Sequence, residues 1–413
     1  MDENLSSIES NKEKTKVKLM NVFKRKIMMI VVSLCCLTGC WDKVEINELA
    51  IGEMIGTDMD PETGAQTVYY QIVNPEAVTA QKGGGIKSPV YTYTIEAPSI
   101  GELGLKVANI LPRKLFPDHY QSIIFTERYA RQGLLPFINF YERQYNRRSD
   151  LYLLITDSPL TDMMMTYPPL DRLPGHALRA LIENQSESSG TVSKKSRVKD
   201  LVENMESSIL TVLPIVSLNG SKPLSTSDRY EQINANEGNF RLSGGAVFKQ
   251  DRMIGKMKLK QMAYYLLLKG QSKVLFERLT VNGRNVDLQA TQPKVHKRLY
   301  IISGVPVWKV DITTRLVIIN NEQQNKLTTE NLTRIQEAFN LKIEEKITEF
   351  YQNTIRNQWD LFGLEDKIKY QRGKKWEGVH QQKNSWNQTE IQISVKSKIN
   401  DIGEIINPYK GVK

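Results

Sequence analysis

The chain has 413 residues, 40% of them hydrophobic and 25% charged, with a formal net charge of +10. That composition excludes a disordered or fibrous chain and supplies core material for two or three domains. Three cysteines are too few for a disulfide-dense scaffold, so burial must hold the fold together.

Residues 1–19 are polar and lack an apolar periodicity, and Met20 offers a second translation start. Lys24, Arg25 and Lys26 then precede Ile27–Leu37, an apolar run broken only by Ser33. Crossing a bilayer takes about 20 apolar residues, so 1–39 is read as a secretory signal. It closes on Leu37-Thr38-Gly39-Cys40, which resembles the bacterial lipobox. In that motif the cysteine receives a diacylglycerol and becomes the new N-terminus. Cys35 and Cys36 leave with the signal and Cys40 is committed to lipid, so no thiolate remains for a disulfide, a nucleophile or a metal. Trp41 is either an indole at the bilayer interface or a packed aromatic opening the first domain.

Ile51–Asp58 and Gln66–Val73 read as a β-hairpin turning through Asp60-Pro61-Glu62-Thr63-Gly64. Gly83, Gly84 and Gly85 mark a loop; it lacks the first glycine of a phosphate loop. Tyr91–Ile95 alternates like a strand, and Ser99 opens a helix to about Ile110. Strands at Tyr120–Thr126 and Leu151–Asp157 are each followed by a helix, near 133–143 and 159–165. Strand–helix alternation over 40–190 predicts an α/β domain.

The small polar run Gln185–Gly190 marks a boundary, and 191–280 forms a middle domain. Within it 198–205 reads as a helix, Ile209–Leu218 as a strand and 240–258 as a hairpin turning at Gln250-Asp251-Arg252. Gln261–Lys269 reads as a helix stopped by Gly270. In 281–413, Val310, Ile312, Thr314, Leu316 and Ile318 share one face of a strand whose polar face predicts an antiparallel sheet. Thr328-Thr329-Glu330 opens a helix to about Phe362, with its stripe on Leu332, Ile335, Phe339, Ile343, Ile347 and Phe350. Glu344 and Glu345 are read as its solvated side, and Glu390–Ile399 as a last strand. The predicted fold is mixed α/β and α+β: three extracytoplasmic domains with mixed sheets, the last an antiparallel sheet packed by one long helix.

Chemical motifs are missing. His119, His176, His296 and His380 have no metal-ligand spacing and read as surface or loop residues; no HExxH or Gly-x-Ser-x-Gly occurs. No cofactor or metal is expected. Basic residues are spread along the chain rather than interleaved with aromatics, so nucleic acid is not an expected partner, whereas the basic balance suits anionic lipid headgroups or cell-wall polyanions.

Cys40-Trp41-Asp42 with Glu45-Ile46-Asn47-Glu48-Leu49 resembles the opening of the Ger(x)C spore-germination lipoproteins. Leu242-Ser243-Gly244-Gly245-Ala246-Val247-Phe248 with Ile254-Gly255 is similar to their second signature, and Trp359-Asp360-Leu361-Phe362-Gly363, Trp376 and Trp386 to their C-terminal part. The resemblance implies a non-enzymatic C subunit of a nutrient germinant receptor, lipid-anchored through Cys40 to the outer face of the spore inner membrane. It further implies A-type and B-type subunits as partners, with Trp41, Asp42, Glu45, Gly244 and Gly245 as signature residues of a possible contact surface. A lipid-anchored solute-binding protein feeding a permease and a cell-wall hydrolase are the alternatives.

Overall fold

The computed structural model describes residues 16, 18–30, 45–79, 87–143, 148–205, 209–220, 234–323, 327–380 and 384–402. The chain divides into Met1–Leu49 and Ala50–Lys413. In the first part, residues 18–30 are helical and exposed, and Ile46–Glu48 form one 3-10 turn. No helix among the described residues is long and apolar enough to cross a membrane.

Nine strands build the larger sheet: β1 (Leu49–Met59), β2 (Gln66–Val73), β3 (Val90–Ala97), β4 (Lys114–Phe116), β5 (Ser122–Thr126), β6 (Tyr152–Thr156), β7 (Thr211–Asn219), β8 (Asn239–Lys249) and β9 (Arg252–Lys258). Their order is β3-β2-β1-β5-β6-β7-β8-β9, with β4 beside β1. The centre is parallel, with Ile55 beside Ile123, Ile124 beside Leu154 and Ile155 beside Ile215; the hairpins at either side are antiparallel. Parallel strands need crossovers, and crossovers cover both faces, which is why β6 is buried throughout and β5 at every residue but its last, Thr126. On one face Ile123, Phe125, Leu153 and Ile155 meet α1 (Leu103–Ile110), α2 (Glu127–Gln132), α3 (Leu135–Glu142) and, further along the sheet, a helix at Val198–Met205. On the other, Met54, Ile124 and Leu154 meet α4 (Leu160–Met165) and α5 (Pro174–Ser188).

The sequence boundary at 190 falls between β6 and β7, which pair within this one sheet. Its polar run is the end of α5, the helix in a stretch where the sequence shows no clear pattern; Gly190 follows it at φ +63°. We number the helix at Val198–Met205 α6.

The second sheet has order β10 (Val274–Val281), β11 (Arg284–Ile302), β12 (Val305–Asn321), β13 (Glu390–Asp401). Helix α7 (Leu259–Lys269) leads into it and stops at Gly270, whose φ of +77° is the left-handed conformation expected there. The sheet is not purely antiparallel, which corrects the sequence expectation: Val310 pairs parallel to Ile393. The reason is α8 (Thr329–Arg356), which carries the chain back across the sheet before β13 begins. Thr328 caps α8, its Oγ1 accepting from the Asn331 N–H at 3.3 Å. Ile335, Phe339, Ile343, Ile347 and Phe350 are buried against Leu288, Val310, Ile312 and Leu316. This helix ends at Arg356, short of the expected Phe362, because Gln358 takes φ +56° and the Trp359 N–H turns back to the Thr354 carbonyl.

Candidate functional site

Of the residues that the sequence singles out, Cys40, Trp41 and Asp42 lie outside the described residues, as do Gly83, Gly84 and Gly85. Glu45 is exposed, immediately before the Ile46–Glu48 turn. Gly244 and Gly245 are buried in β8, between β7 and β9. A Cβ on Gly244 would stand 2.2 Å from the Met257 carbonyl oxygen, and one on Gly245 2.2 Å from Met262 Sδ on α7. Both glycines therefore bring main chain into closer contact than any side chain allows.

The next strand continues this pattern. A Cβ on Gly255 of β9 would lie 2.1 Å from Cζ2 of Trp359, so the indole lies directly on bare backbone. Beyond Trp359 the chain makes a tight turn. Asp360, 8% exposed, accepts from the Leu364 N–H at 2.8 Å and the Glu365 N–H at 2.9 Å. It thereby satisfies the first turn of α9 (Leu364–Lys369). Burial raises the Asp360 pKa, and these N–H donors oppose the shift. Phe362 packs 4.8 Å from Trp308 of β12 and 6.1 Å from Tyr265 of α7, centroid to centroid. Trp376 and Trp386 are buried in the same core. Two motifs about a hundred residues apart, Gly244–Gly255 and Trp359–Gly363, thus form one junction between the two sheets.

Three lysines border that junction. Lys367 Nζ donates to the Phe362 carbonyl at 2.8 Å, and Lys297 Nζ to the Leu268 carbonyl at 2.9 Å, at the negative end of α7. Lys269 Nζ stands 5.8 Å from the Tyr265 ring centroid. Its pKa is lowered to about 8 by burial, then by the Lys367 and Lys297 charges. No periodic pattern in the sequence draws these three together, because their meeting depends on how α7, β11 and α9 pack.

Two ionisable residues do more than the sequence reading gave them. His176 is exposed, as read, and in the first turn of α5 its Nδ1 lies 2.8 Å from Oε1 of Glu53, a carboxylate 1% exposed. The Glu53 hydrogen bond raises the His176 pKa. Glu344 is not merely solvated, since its Oε1 accepts the Val395 N–H at 2.8 Å; Glu345 is exposed as expected. A third residue, Glu277, carries no sequence motif yet sits at an inward phase of β10, in register with Leu275, Leu279 and Val281. A charge at a core-facing strand position was the available signal. Among the described residues no group of three or more His, Cys, Asp or Glu side chains is arranged to hold a metal. The junction's chemistry is packing, capping and clustered positive charge.

Residues 42–218 match the family described as spore germination protein N-terminal domain, and residues 243–403 the one described as spore germination B3/GerAC-like, C-terminal. Spore germination protein KC of Bacillus subtilis (strain 168) is 24% identical over 405 residues, covering 93% of this chain and 97% of that protein. Spore germination protein YndF of the same organism is 21% identical over 413 residues, covering 92% and 96%. A solved structure, the crystal structure of the GerBC protein, superposes with a TM-score of 0.53 at 16% identity, covering 84% of this chain and 97% of that one.

Proposed function

Because the chain belongs to the Ger(x)C family of spore germination proteins, we propose that it is a lipid-anchored, non-catalytic subunit of a spore nutrient germinant receptor, acting in assembly and signalling. The observation that carries this reading is the continuity of the family match, which begins at residue 42, two positions after Cys40. On this reading the body is tied to the membrane at Cys40, on the outer face of the spore inner membrane. A bacterial lipoprotein carries at least two acyl chains, and two suffice for stable anchoring where one does not. Tethering raises the effective concentration of weak protein contacts and fixes their orientation. Of the formal net charge of +10, residues 1–39 hold +3 (seven Lys/Arg, four Asp/Glu), so the body from Cys40 onward keeps +7, which favours a surface of anionic headgroups.

The partners are an A-type subunit and an integral B-type subunit. Trp41, Asp42 and Glu45, next to the anchor in sequence, are the residues we propose to meet them near the bilayer. Gly244 and Gly245 are buried, so their part is to set the shape of the junction rather than to touch a partner. The test is Cys40→Ala. We expect the protein to leave the membrane fraction of spores and nutrient germination to fail, while folding of the body is preserved. Membrane retention together with a full nutrient response would overturn the reading.

A further inference from the structure

Helix α1 is apolar on more than its packed side. Leu103 and Val107 enter the core on one face of the larger sheet. Leu105 and Ile110 nevertheless stand 72% and 50% exposed, and the other exposed positions of the helix, Gly104, Ala108 and Asn109, are uncharged. Its single charge is engaged, since Lys106 Nζ donates to the Glu96 carbonyl at 2.7 Å. The outward side of a surface helix ordinarily carries charge, and apolar side chains there mark an interface.

Cations follow directly. Arg113 and Lys114 are exposed, and neither has a hydrogen bond or ion pair among the described residues. The Glu76 carboxylate, whose charge Arg113 feels, is paired with Lys87 at 2.9 Å. Arg113, Lys114 and Phe140 line one groove of about 410 Å³ with Gly104 and Ala108 of α1, so helix and cations share a surface.

Chain length limits what lies opposite. β2 and β5 flank β1 from Met54 to Thr57, and a Cβ on Gly52 would stand 2.4 Å from the Tyr120 ring. β4, which begins at Lys114, therefore pairs with the start of β1. That start, Leu49, is nine residues after Cys40 in sequence, a span of at most about 30 Å. The cations thus lie where a chain held by a lipid on Cys40 enters the body. Eight residues make α1 about 12 Å long, too small a face for a stable protein interface of about 800 Å² per partner. On a membrane that already holds the chain, a small contact suffices.

We propose that α1 and the Arg113–Lys114 segment rest on an anionic bilayer, with Leu105 among the headgroups and the two cations on lipid phosphates. This orientation rests on the lipid at Cys40: the anchor holds the chain, and α1 fixes which side of the body faces the bilayer.

The test uses the lipidated protein reconstituted into phosphatidylcholine vesicles with or without phosphatidylglycerol. Leu105→Cys carries an environment-sensitive fluorophore, and Leu341→Cys, exposed on α8, carries it in the control. Flotation reports the anchor, and the fluorophore reports α1. On vesicles containing phosphatidylglycerol the label at position 105 should shift to the blue and lose most of its quenching by acrylamide, while that at position 341 stays unchanged. Arg113→Glu combined with Lys114→Glu should abolish the shift while flotation persists. Protein that does not float overturns the anchoring and the bilayer contact together. Flotation with an unshifted label at position 105, equal shifts at both positions, equal shifts on both kinds of vesicle, or a shift that survives charge reversal overturns the bilayer contact alone.

Discussion

Single atoms decide the junction. The Cβ that alanine would add at Gly255 meets the Trp359 ring at 2.1 Å, and the indole cannot retreat into a core already filled by Leu361 and Phe362. Overpacking of this kind costs about 1–3 kcal/mol. Gly255→Ala should therefore lower the urea midpoint clearly. Gly104→Ala should do the opposite: nothing lies within 4 Å of its Cβ position, and it sits inside α1. There alanine gains about 0.5–1 kcal/mol by restricting the unfolded chain. Urea titrations of both variants beside the wild type check the pair, and a neutral Gly255→Ala would show that the indole contact is loose. The sequence shows Gly244, Gly245, Gly255 and Trp359 as motif residues, but not that they touch.

Lys269 is a second test at this scale. Its folded pKa of about 8 is below the ordinary lysine value of 10.5. Between these two values the unfolded chain binds more protons, so the wild type gains stability as pH rises through that window. Below it the full cost of the buried charge is present. Lys269→Met should thus stabilise the protein at pH 7 by about 1–3 kcal/mol. That advantage should shrink steadily as pH climbs from 8 toward 10.5. Melting temperatures of both proteins across this range read it out; a destabilised variant at pH 7 would mean that the ammonium's contact with Tyr265 outweighs its burial.

At the scale of elements, α8 does more than cover a sheet. β13 is an edge strand, and edge strands invite pairing with other chains. Side chains one turn apart on α8 reach over that edge. Glu344 accepts the Val395 N–H at 2.8 Å, Gln336 accepts the Ile399 N–H at 2.7 Å, and Asn340 accepts the Ser397 hydroxyl at 2.7 Å. Replacing Gln336, Asn340 and Glu344 together with alanine should leave the buried stripe intact yet open the edge. Light scattering should then show concentration-dependent association absent from the wild type. A triple variant that scatters like the wild type would mean that the polar ladder does not guard the edge. The stripe of α8 was legible because Ile335, Phe339, Ile343 and Ile347 recur at helical spacing. The ladder was not, since polar residues on a helix look alike whether they face water or a neighbouring strand. β11 was missed for a related reason: its burial weakens along the second half, where Lys294, His296, Lys297 and Arg298 are exposed and Val295 and Leu299 are only partly buried. There little apolar alternation remains to be read.

For the whole molecule, the strands from β1 to β9 other than β4 follow the sequence reading, because each short apolar run ends in recognisable turn residues, whereas the helices α2 and α5 among them were not read. How those elements join was less legible. Continuity of one sheet across residue 190 depends on pairing between β6 and β7, which are separated by α4, α5 and α6. Parallel pairing of β13 depends likewise on a long crossover. Neither leaves a local mark. The result is a body without cysteine after Cys40, held by burial and a glycine-lined junction, which we propose is tethered through Cys40. In such a protein, function lies in what it holds and where.

That claim is tested most directly by purifying the tagged, wild-type chain from detergent-solubilised spore membranes and identifying what comes with it. The account predicts an A-type and an integral B-type receptor subunit in constant ratio to this chain. Recovery of the A-type and B-type subunits together in its absence, with this chain isolated on its own, would contradict it.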